Sequence, residues 1–325
     1  MSADPRMPEP IPSPEGLLFG LAHKLERIAT ALETMTHTAR PADVDFDAAV
    51  AFRWRGGDRA HRTQGTALLE PIASPALIGF DALRNVERQA AIVERNTRQF
   101  VRGGAANHVL LTGARGTGKS SIVKACLHAF AKDGLRLIEV SKEGLNDLPA
   151  IVELVRARPE RYIVFCDDLS FESGETGYKG LKTVLDGSVA SDLSNVLVYA
   201  TSNRRHLLPE HASDNADVSR AENGELHPGD AVEERISLSE RFGIWVTFYG
   251  FSQDQYLAVV DSRLAEAGFD AAQIHAAREP ALQWALERGA RSGRIAAQFV
   301  RDYTGRFADE AIDAAADGER VLRTG

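Results

Sequence analysis

The sequence is poor in cysteine, and this excludes some kinds of protein. Only two of the 325 residues are cysteines, Cys126 and Cys166, and both lie in apolar segments. Two such residues make neither a disulfide framework nor a metal site, so we expect both thiols to belong to the core. A reducing compartment suits them, and the cytoplasm is the expected location.

Long apolar runs and an excess of positive charge are also absent. No run reaches the roughly 18 residues that a membrane-spanning helix needs, so we do not expect this chain to be an integral membrane protein. The first 16 residues lack a basic stretch followed by an apolar core, so we expect no signal peptide. Acidic residues outnumber basic ones by 46 to 38, and the net charge is -8. This balance does not indicate DNA binding, although it is compatible with a local basic patch on the surface.

The composition is otherwise that of a globular protein, with 44% hydrophobic and 26% charged residues. Five short apolar runs are typical of buried strands, at residues 109–111, 135–140, 162–166, 196–200 and 244–248. Helical patterns separate several of them, which predicts a parallel sheet covered by helices on both faces. Residues 251–325 contain helical patterns and no convincing strand.

The first 76 residues are interpreted as an N-terminal extension. Residues 1–16 are rich in proline and are expected to be mobile. Apolar residues then recur at alternating steps of three and four, namely Leu18, Leu21, Leu25, Ile28, Leu32 and Met35. This stripe predicts a helix that either packs on its own domain or forms a short seam between copies of the chain. Residues 40–76 show no regular pattern.

A phosphate-binding loop follows the first predicted strand. The sequence GARGTGKS matches the pattern G-x-x-x-x-G-K-[ST] in full. Its glycines let successive backbone N–H groups face a phosphate, Lys119 can reach the β- and γ-phosphates, and the Ser120 hydroxyl can ligate Mg²⁺. The residues predicted to surround the nucleotide are Gly113, Ala114, Arg115, Gly116, Thr117, Gly118, Lys119, Ser120 and Ser121, with Thr117 and Ser121 as neighbours rather than ligands.

Polar residues also end two further predicted strands. Asp167 and Asp168 follow the third strand, at the edge where parallel sheets carry ligand chemistry. We assign Asp167 to the Mg²⁺ shell and Asp168 to the base that activates water, with Glu172 as a weaker candidate base. Alternatively, the two acids cap the next helix. Asn203 ends the fourth strand and can bind the γ-phosphate and the attacking water, or serve a local turn.

The order of these motifs resembles that of the AAA+ ATPases. More closely, the sequence resembles an uncharacterised bacterial family of predicted AAA+ ATPases, known only as a domain of unknown function. The stretches that carry the resemblance are 107–121, 165–172, 199–210, 227–245 and 291–300. It implies a P-loop α/β core over residues 77–250 and a C-terminal helical lid over residues 251–325. ATP and Mg²⁺ are the implied ligands.

The resemblance also implies roles that spacing alone does not reveal. Asn203 matches the sensor-1 position, and Arg294 matches the sensor-2 position that contacts the γ-phosphate from the lid. Arg241 is similar to the arginine finger of the bacterial Holliday-junction branch-migration motor, which acts on the ATP of a neighbouring subunit and so implies a homo-oligomer. Ile78 and Gly79 resemble the turn that packs on adenine. Reserve candidates for the finger are Arg204, Arg205 and Arg235.

One departure from the AAA+ pattern keeps a second function open. Most AAA+ proteins end the metal strand in Asp-Glu, whereas this one ends in Asp-Asp, as the bacterial replication initiator and helicase loaders do. The main expectation is an ATP hydrolase that remodels or loads an unknown client. The alternative is a switch or loader that binds a partner or DNA with ATP and hydrolyses it rarely, and the basic cluster 203–206 motivates it. A small-molecule kinase is not favoured, because it does not need the sensor and finger residues.

Overall fold

The computed structural model describes Lys24 and residues 45–56, 68–169, 178–186, 194–203, 219–220, 226–227 and 238–307. Several predictions concern positions outside these residues, namely the mobile start 1–16, the apolar stripe between Leu18 and Met35, Glu172, Arg204, Arg205 and Arg235.

Strands and helices alternate through the centre of the chain. The strands are β1 (Ala51–Trp54), β2 (Leu69–Pro71), β3 (Val109–Gly113), β4 (Leu135–Glu139), β5 (Arg161–Cys166), β6 (Val196–Ser202), β7 (Ser219–Arg220), β8 (Leu226–His227) and β9 (Ile244–Phe248). The helices are α1 (Glu87–Val101), α2 (Lys119–Phe130), α3 (Leu148–Val155), α4 (Tyr178–Leu185), α5 (Gln253–Glu266), α6 (Ala271–Glu287) and α7 (residues 293–307).

The main sheet has the order β2-β1-β4-β5-β6-β3-β9, and all neighbours are parallel except β1 and β2. The central strands are mostly apolar, as expected for a sheet that helices cover on both faces, and every residue of β6 is buried. The five predicted strands and the predicted α/β fold class are confirmed. Since β5, β6 and β3 are neighbours, the residues that follow them meet at one edge of the sheet.

Two hydrophobic cores lie on the two faces of this sheet. Alternate residues of β5 enter different cores, with Tyr162 and Val164 on one face and Ile163 and Phe165 on the other. Cys166 belongs to the first core and Cys126 to the second, and both thiols are free. Burial raises the pKa of each thiol to about 12, so both stay protonated at neutral pH.

Two short strands lie in the segment 40–76, for which the sequence shows no regular pattern. β1 pairs in parallel with β4, and β2 pairs antiparallel with β1. Trp54 ends β1 and donates a hydrogen bond from Nε1 to Oδ2 of Asp147 over 3.0 Å. Strands of three or four residues are too short to produce a periodic pattern. Pairing with β4 stabilises β1, and pairing with β1 stabilises β2. The segment therefore extends the core sheet, while the division of the chain at residues 76 and 250 stays a prediction.

The helices α5, α6 and α7 pack around a small core of their own. Tyr256, Ala281 and Phe299 are fully buried within it. α5 and α6 each begin with a capping box, in which Ser252 and Asp270 accept hydrogen bonds from the third backbone N–H of their helices. The described part of this region is helical, as the sequence predicts. Among the described residues, no helix is both long and apolar enough to cross a membrane.

The buried imidazole of His108 predicts a pH dependence of stability. Its Nδ1 accepts a hydrogen bond from the backbone N–H of Val198 over 2.9 Å, and burial lowers its pKa from 6.5 to about 4. The unfolded chain therefore binds the proton more readily than the folded chain. The contribution of His108 to the stability is fully present above about pH 6.5 and is lost as the pH falls towards about 4. A shift of this size corresponds to about 3 kcal/mol.

The variant His108→Asn keeps an acceptor for the Val198 N–H but cannot titrate in this range. We expect its free energy of unfolding to fall less than that of the wild type between about pH 7 and about pH 4. Denaturant unfolding at several pH values measures the difference, in which the contributions of other groups cancel. If the free energy of unfolding fell equally with pH in the two proteins, His108 would not be the group responsible.

Candidate active site

A cleft with a cavity volume of about 790 Å³ lies between the carboxyl edge of the sheet and the helical lid. Its walls bring together most of the predicted site residues, namely Ile78, Arg115, Gly116, Thr117, Gly118, Lys119, Ser120, Ser121, Asp167, Asp168, Asn203 and Arg294. Four predicted residues do not line it, namely Gly79, Gly113, Ala114 and Arg241. Residues that are up to 216 positions apart in sequence thus share one site.

The loop between β3 and α2 is anchored to the edge strand β9. The backbone N–H of Ala114 donates to the carbonyl oxygen of Phe248 over 3.2 Å. Gly113 has a φ of 118°, and a Cβ atom there would lie 1.9 Å from the same oxygen. A side chain at Gly113 would therefore displace the loop from β9. The two residues shape the cleft without lining it.

The Lys119 side chain is held inside the loop by three acceptors. Its Nζ donates to the carbonyl oxygens of Gly113 and Ala114 over 2.8 and 2.7 Å, and to Oδ1 of Asn203 over 3.0 Å. Burial lowers the pKa of this ammonium group, while the nearby carboxylates of Asp167 and Asp168 act in the opposite direction. An anion in the cleft would favour the charged form.

The two acids are linked to the loop and to β6. Asp167 Oδ1 accepts hydrogen bonds from the hydroxyls of Ser120 and Thr201, both over 2.6 Å. Asp168 accepts a hydrogen bond from the amide of Asn203, whose oxygen is bonded to Lys119. Lysine, amide and second acid therefore form one continuous chain of hydrogen bonds.

The donor set fits Mg²⁺. The Ser120 hydroxyl and the Asp167 carboxylate supply hard oxygen atoms, and Asp167 faces the open cleft. Mg²⁺ usually takes only one or two carboxylates and completes its shell with water and substrate phosphates. The described residues contain no cluster of three or more His, Cys, Asp or Glu side chains suited to a metal ion. Such a cluster is not needed for this kind of site.

The lid contacts the phosphate loop directly. The backbone N–H of Gly293 donates to the carbonyl oxygen of Gly116 over 2.8 Å, at the start of α7. Gly116 has a φ of 72°, and a Cβ atom there would lie 2.7 Å from Oγ of Ser292. This contact brings Arg294, one residue further on, to the wall of the cleft. Nothing in the spacing of the sequence indicates the contact.

Arg241 lies outside the cleft of its own chain. Its guanidinium group donates from Nε to the carboxylate of Asp186, which directly follows α4. The Arg241 side chain is 22% exposed and Asp186 is 44% exposed. A role for Arg241 in phosphate chemistry would therefore require the site of another copy of the chain and the release of Asp186.

Core and lid residues line the rest of the cleft. Ile78 faces it from the core, and the lid contributes Phe251, Val259, Ser262 and Ala297. Only Ile78 is expected from the sequence. The lid residues belong to helical patterns without a distinguishing motif, so the sequence carries no signal for them.

Thr201 is a further site residue that the motifs do not single out. It is 2% exposed, lines the cleft and bonds to Asp167. A weak signal for it exists in the strand register. Cys166 of β5 is paired with Ala200 of β6, so the next residue of each strand lies at the same level. This register becomes visible only when the two strands are known to be neighbours.

A known protein family matches most of the chain. A family model described as "Protein of unknown function (DUF815)" matches residues 47–307. No curated protein matches the chain.

Several solved structures resemble this chain at low identity. The RuvB Holliday junction branch migration motor of Thermotoga maritima is 13% identical over 69% of this chain and 71% of its own, with a TM-score of 0.40. The FIGL-1 AAA domain in complex with ADP is 16% identical over 69% of this chain and 84% of its own, with a TM-score of 0.42. PCH-2 of C. elegans is 16% identical over 58% of this chain and 50% of its own, with a TM-score of 0.36.

The contact between lid and loop predicts that Gly116→Ala separates them. The added methyl group would collide with Ser292, so we expect the Gly293 N–H to lose its protection from hydrogen exchange. Gly289→Ala is a matched control, because Gly289 also has a positive φ, of 63°, but no atom within 4 Å of the added Cβ. Equal protection of Gly293 in the two variants would contradict the prediction.

Proposed function

The chain belongs to the family described as Protein of unknown function (DUF815), and we propose that this member hydrolyses ATP with Mg²⁺ as an AAA+ ATPase. The observation that carries the proposal is the convergence of four elements at one cleft. These are the phosphate loop, the acid pair, the polar end of β6 and an arginine of the lid. The proposed client is a macromolecule that the enzyme remodels or loads.

ATP binding is assigned to the phosphate loop and the cleft wall beside Ile78. Backbone N–H groups of the loop, the start of α2 and Lys119 bind the phosphates. The wall beside Ile78 takes the base. Ser120 and Asp167 would hold Mg²⁺, which when bound neutralises charge on the β- and γ-phosphates. Its other ligands would be water and phosphate oxygens.

Hydrolysis is assigned to the chain of hydrogen bonds that runs from Lys119 to Asp168. Asp168 orients and deprotonates the water, and Asn203 positions that water against the γ-phosphate. The water attacks in line with the leaving oxygen of ADP, and Lys119 and Arg294 stabilise the charge that develops. Bound ATP must first exchange the contact between Lys119 and Asn203 for contacts with phosphate.

Two substitutions separate binding from chemistry. We expect Lys119→Ala to abolish ATP binding, because the phosphates lose their buried cation. We expect Asp168→Asn to bind ATP as the wild type does and to hydrolyse it at least about 100-fold more slowly, because the base is lost. Equilibrium binding of a fluorescent ATP analogue and steady-state phosphate release measure the two effects. Unchanged turnover in Asp168→Asn would exclude it as the base.

We propose further that the active enzyme is a homo-oligomer in which Arg241 reaches the ATP of a neighbouring subunit. The position of Arg241 outside its own cleft supports this role. Arginine fingers contribute about 10³–10⁵-fold to phosphoryl transfer. The rate per protomer should therefore rise with protein concentration.

A mixing experiment tests this arrangement. Arg241→Ala protomers keep a complete phosphate loop, and Lys119→Ala protomers keep the finger, so neither variant alone should hydrolyse ATP. In a mixture, a Lys119→Ala protomer can complete the site of its Arg241→Ala neighbour, and we expect activity to return. Phosphate release at a fixed total concentration measures this return. An inactive mixture that still assembles would contradict a finger in trans.

A second candidate function is an ATP-dependent switch or loader that hydrolyses ATP rarely. It is favoured by the hydrogen bond from Asn203 to Asp168, which engages the base within the protein. The shorter aspartate in place of glutamate also favours slow turnover. ATP binding with phosphate release near zero would support the switch, and retention of DNA only with ATP would identify DNA as its partner.

The free cysteines support the cytoplasm as the proposed location of the protein.

A further inference from the structure

The side chain of Thr201 contacts both acids of the site. Its Oγ1 donates to Oδ1 of Asp167 over 2.6 Å and accepts from the backbone N–H of Asp168 over 2.9 Å. Its carbonyl oxygen accepts from the N–H of Leu169 over 2.6 Å. One residue of β6 therefore holds three consecutive residues at the end of β5.

The direction of these hydrogen bonds follows from their chemistry. A hydroxyl group has one hydrogen atom, and a backbone N–H group can only donate. The Thr201 oxygen must therefore accept from Asp168, and its single hydrogen points to Asp167. This orients the lone pairs of the Asp167 carboxylate, which also accepts a hydrogen bond from Ser120.

The backbone conformation of Asp168 needs the hydrogen bonds that Thr201 provides. Its φ is 54°, in the left-handed region that residues other than glycine rarely adopt. Thr201 satisfies the N–H groups of Asp168 and Leu169, which stabilises this turn of the chain. The turn directs the Asp168 carboxylate to Asn203.

We propose that Thr201 is the positioning residue that sets the distance and orientation of the two acids. It is 2% exposed and acts through Asp167 and Asp168, without itself reacting. Supporting residues of this kind typically contribute about 10- to 100-fold to metal affinity or activity. This assignment rests on the proposed function, because it takes the cleft to be a site for nucleotide and Mg²⁺.

The test compares three variants. Thr201→Val removes the hydroxyl at constant shape, and Thr201→Ser retains it. Thr112→Val is the matched control, because Thr112 is 1% exposed, is the penultimate residue of the adjacent strand β3 and accepts a hydrogen bond from Trp245 instead of contacting the acids. Thermal unfolding of all three measures the general cost of losing a buried hydroxyl.

The main readout is the affinity for a fluorescent ADP analogue, with Mg²⁺ and with a chelator. We expect the factor by which Mg²⁺ raises the affinity for the analogue to be about 10-fold smaller in Thr201→Val than in the wild type. The affinity of Thr201→Val measured with the chelator should change little. Its kcat should fall about 10- to 100-fold while KM for ATP changes less. Thr201→Ser should restore both quantities. If Thr201→Val does not fold, Thr201→Cys takes its place, since its thiol is only a weak donor.

Two results would overturn the proposal. In the first, Mg²⁺ raises the affinity of Thr201→Val for the analogue as much as it raises that of Thr112→Val. In the second, Thr201→Ser loses as much of this Mg²⁺-dependent affinity as Thr201→Val does. Failure of the proposed hydrolysis is distinguishable, because a wild type that binds the analogue with Mg²⁺ but releases no phosphate still allows the affinity comparison. A wild type with no Mg²⁺-dependent binding would overturn both proposals.

Discussion

The parallel pairing of β6 with β5 on one side and with β3 on the other is the constraint on which the site depends. Each of these strands ends in residues of different chemistry, and the pairing brings the three ends to one level. Helices on both faces bury the sheet between two hydrophobic cores. Small shifts in register would separate the Ser120 hydroxyl, the acid pair and Asn203 by several ångströms.

The same edge of the sheet carries a high density of buried polar groups. Lys119 is 6% exposed, and its buried charge is tolerated because two carbonyl oxygens and the Asn203 amide surround the ammonium group. A buried cation without such partners would be strongly destabilising. In the proposed function, bound phosphates would offer replacement partners of opposite charge, and nucleotide binding would then stabilise this region.

Much of the core is evident in the sequence because its signals are local. The five apolar strands are short and are separated by helical segments, and the glycine pattern before Lys119 is specific for a phosphate loop. The strands β1 and β2 are missed, since β1 has few residues and depends on pairing with β4, and β2 depends on pairing with β1. Thr201 is missed for a similar reason. Its neighbour Asp167 lies 34 positions away, and only the strand order brings them together.

Local chemistry thus determines which residues of this chain can bind phosphate and metal. The acids, the lysine and the terminal asparagine are recognisable because each directly follows an apolar strand or belongs to a fixed spacing. Their mutual contacts, the docking of the lid on Gly116 and the pairing of Arg241 with Asp186 depend on residues far apart in sequence. Hydrogen bonds act over about 3 Å, so these relations exist only once strand order and helix packing have set the distances.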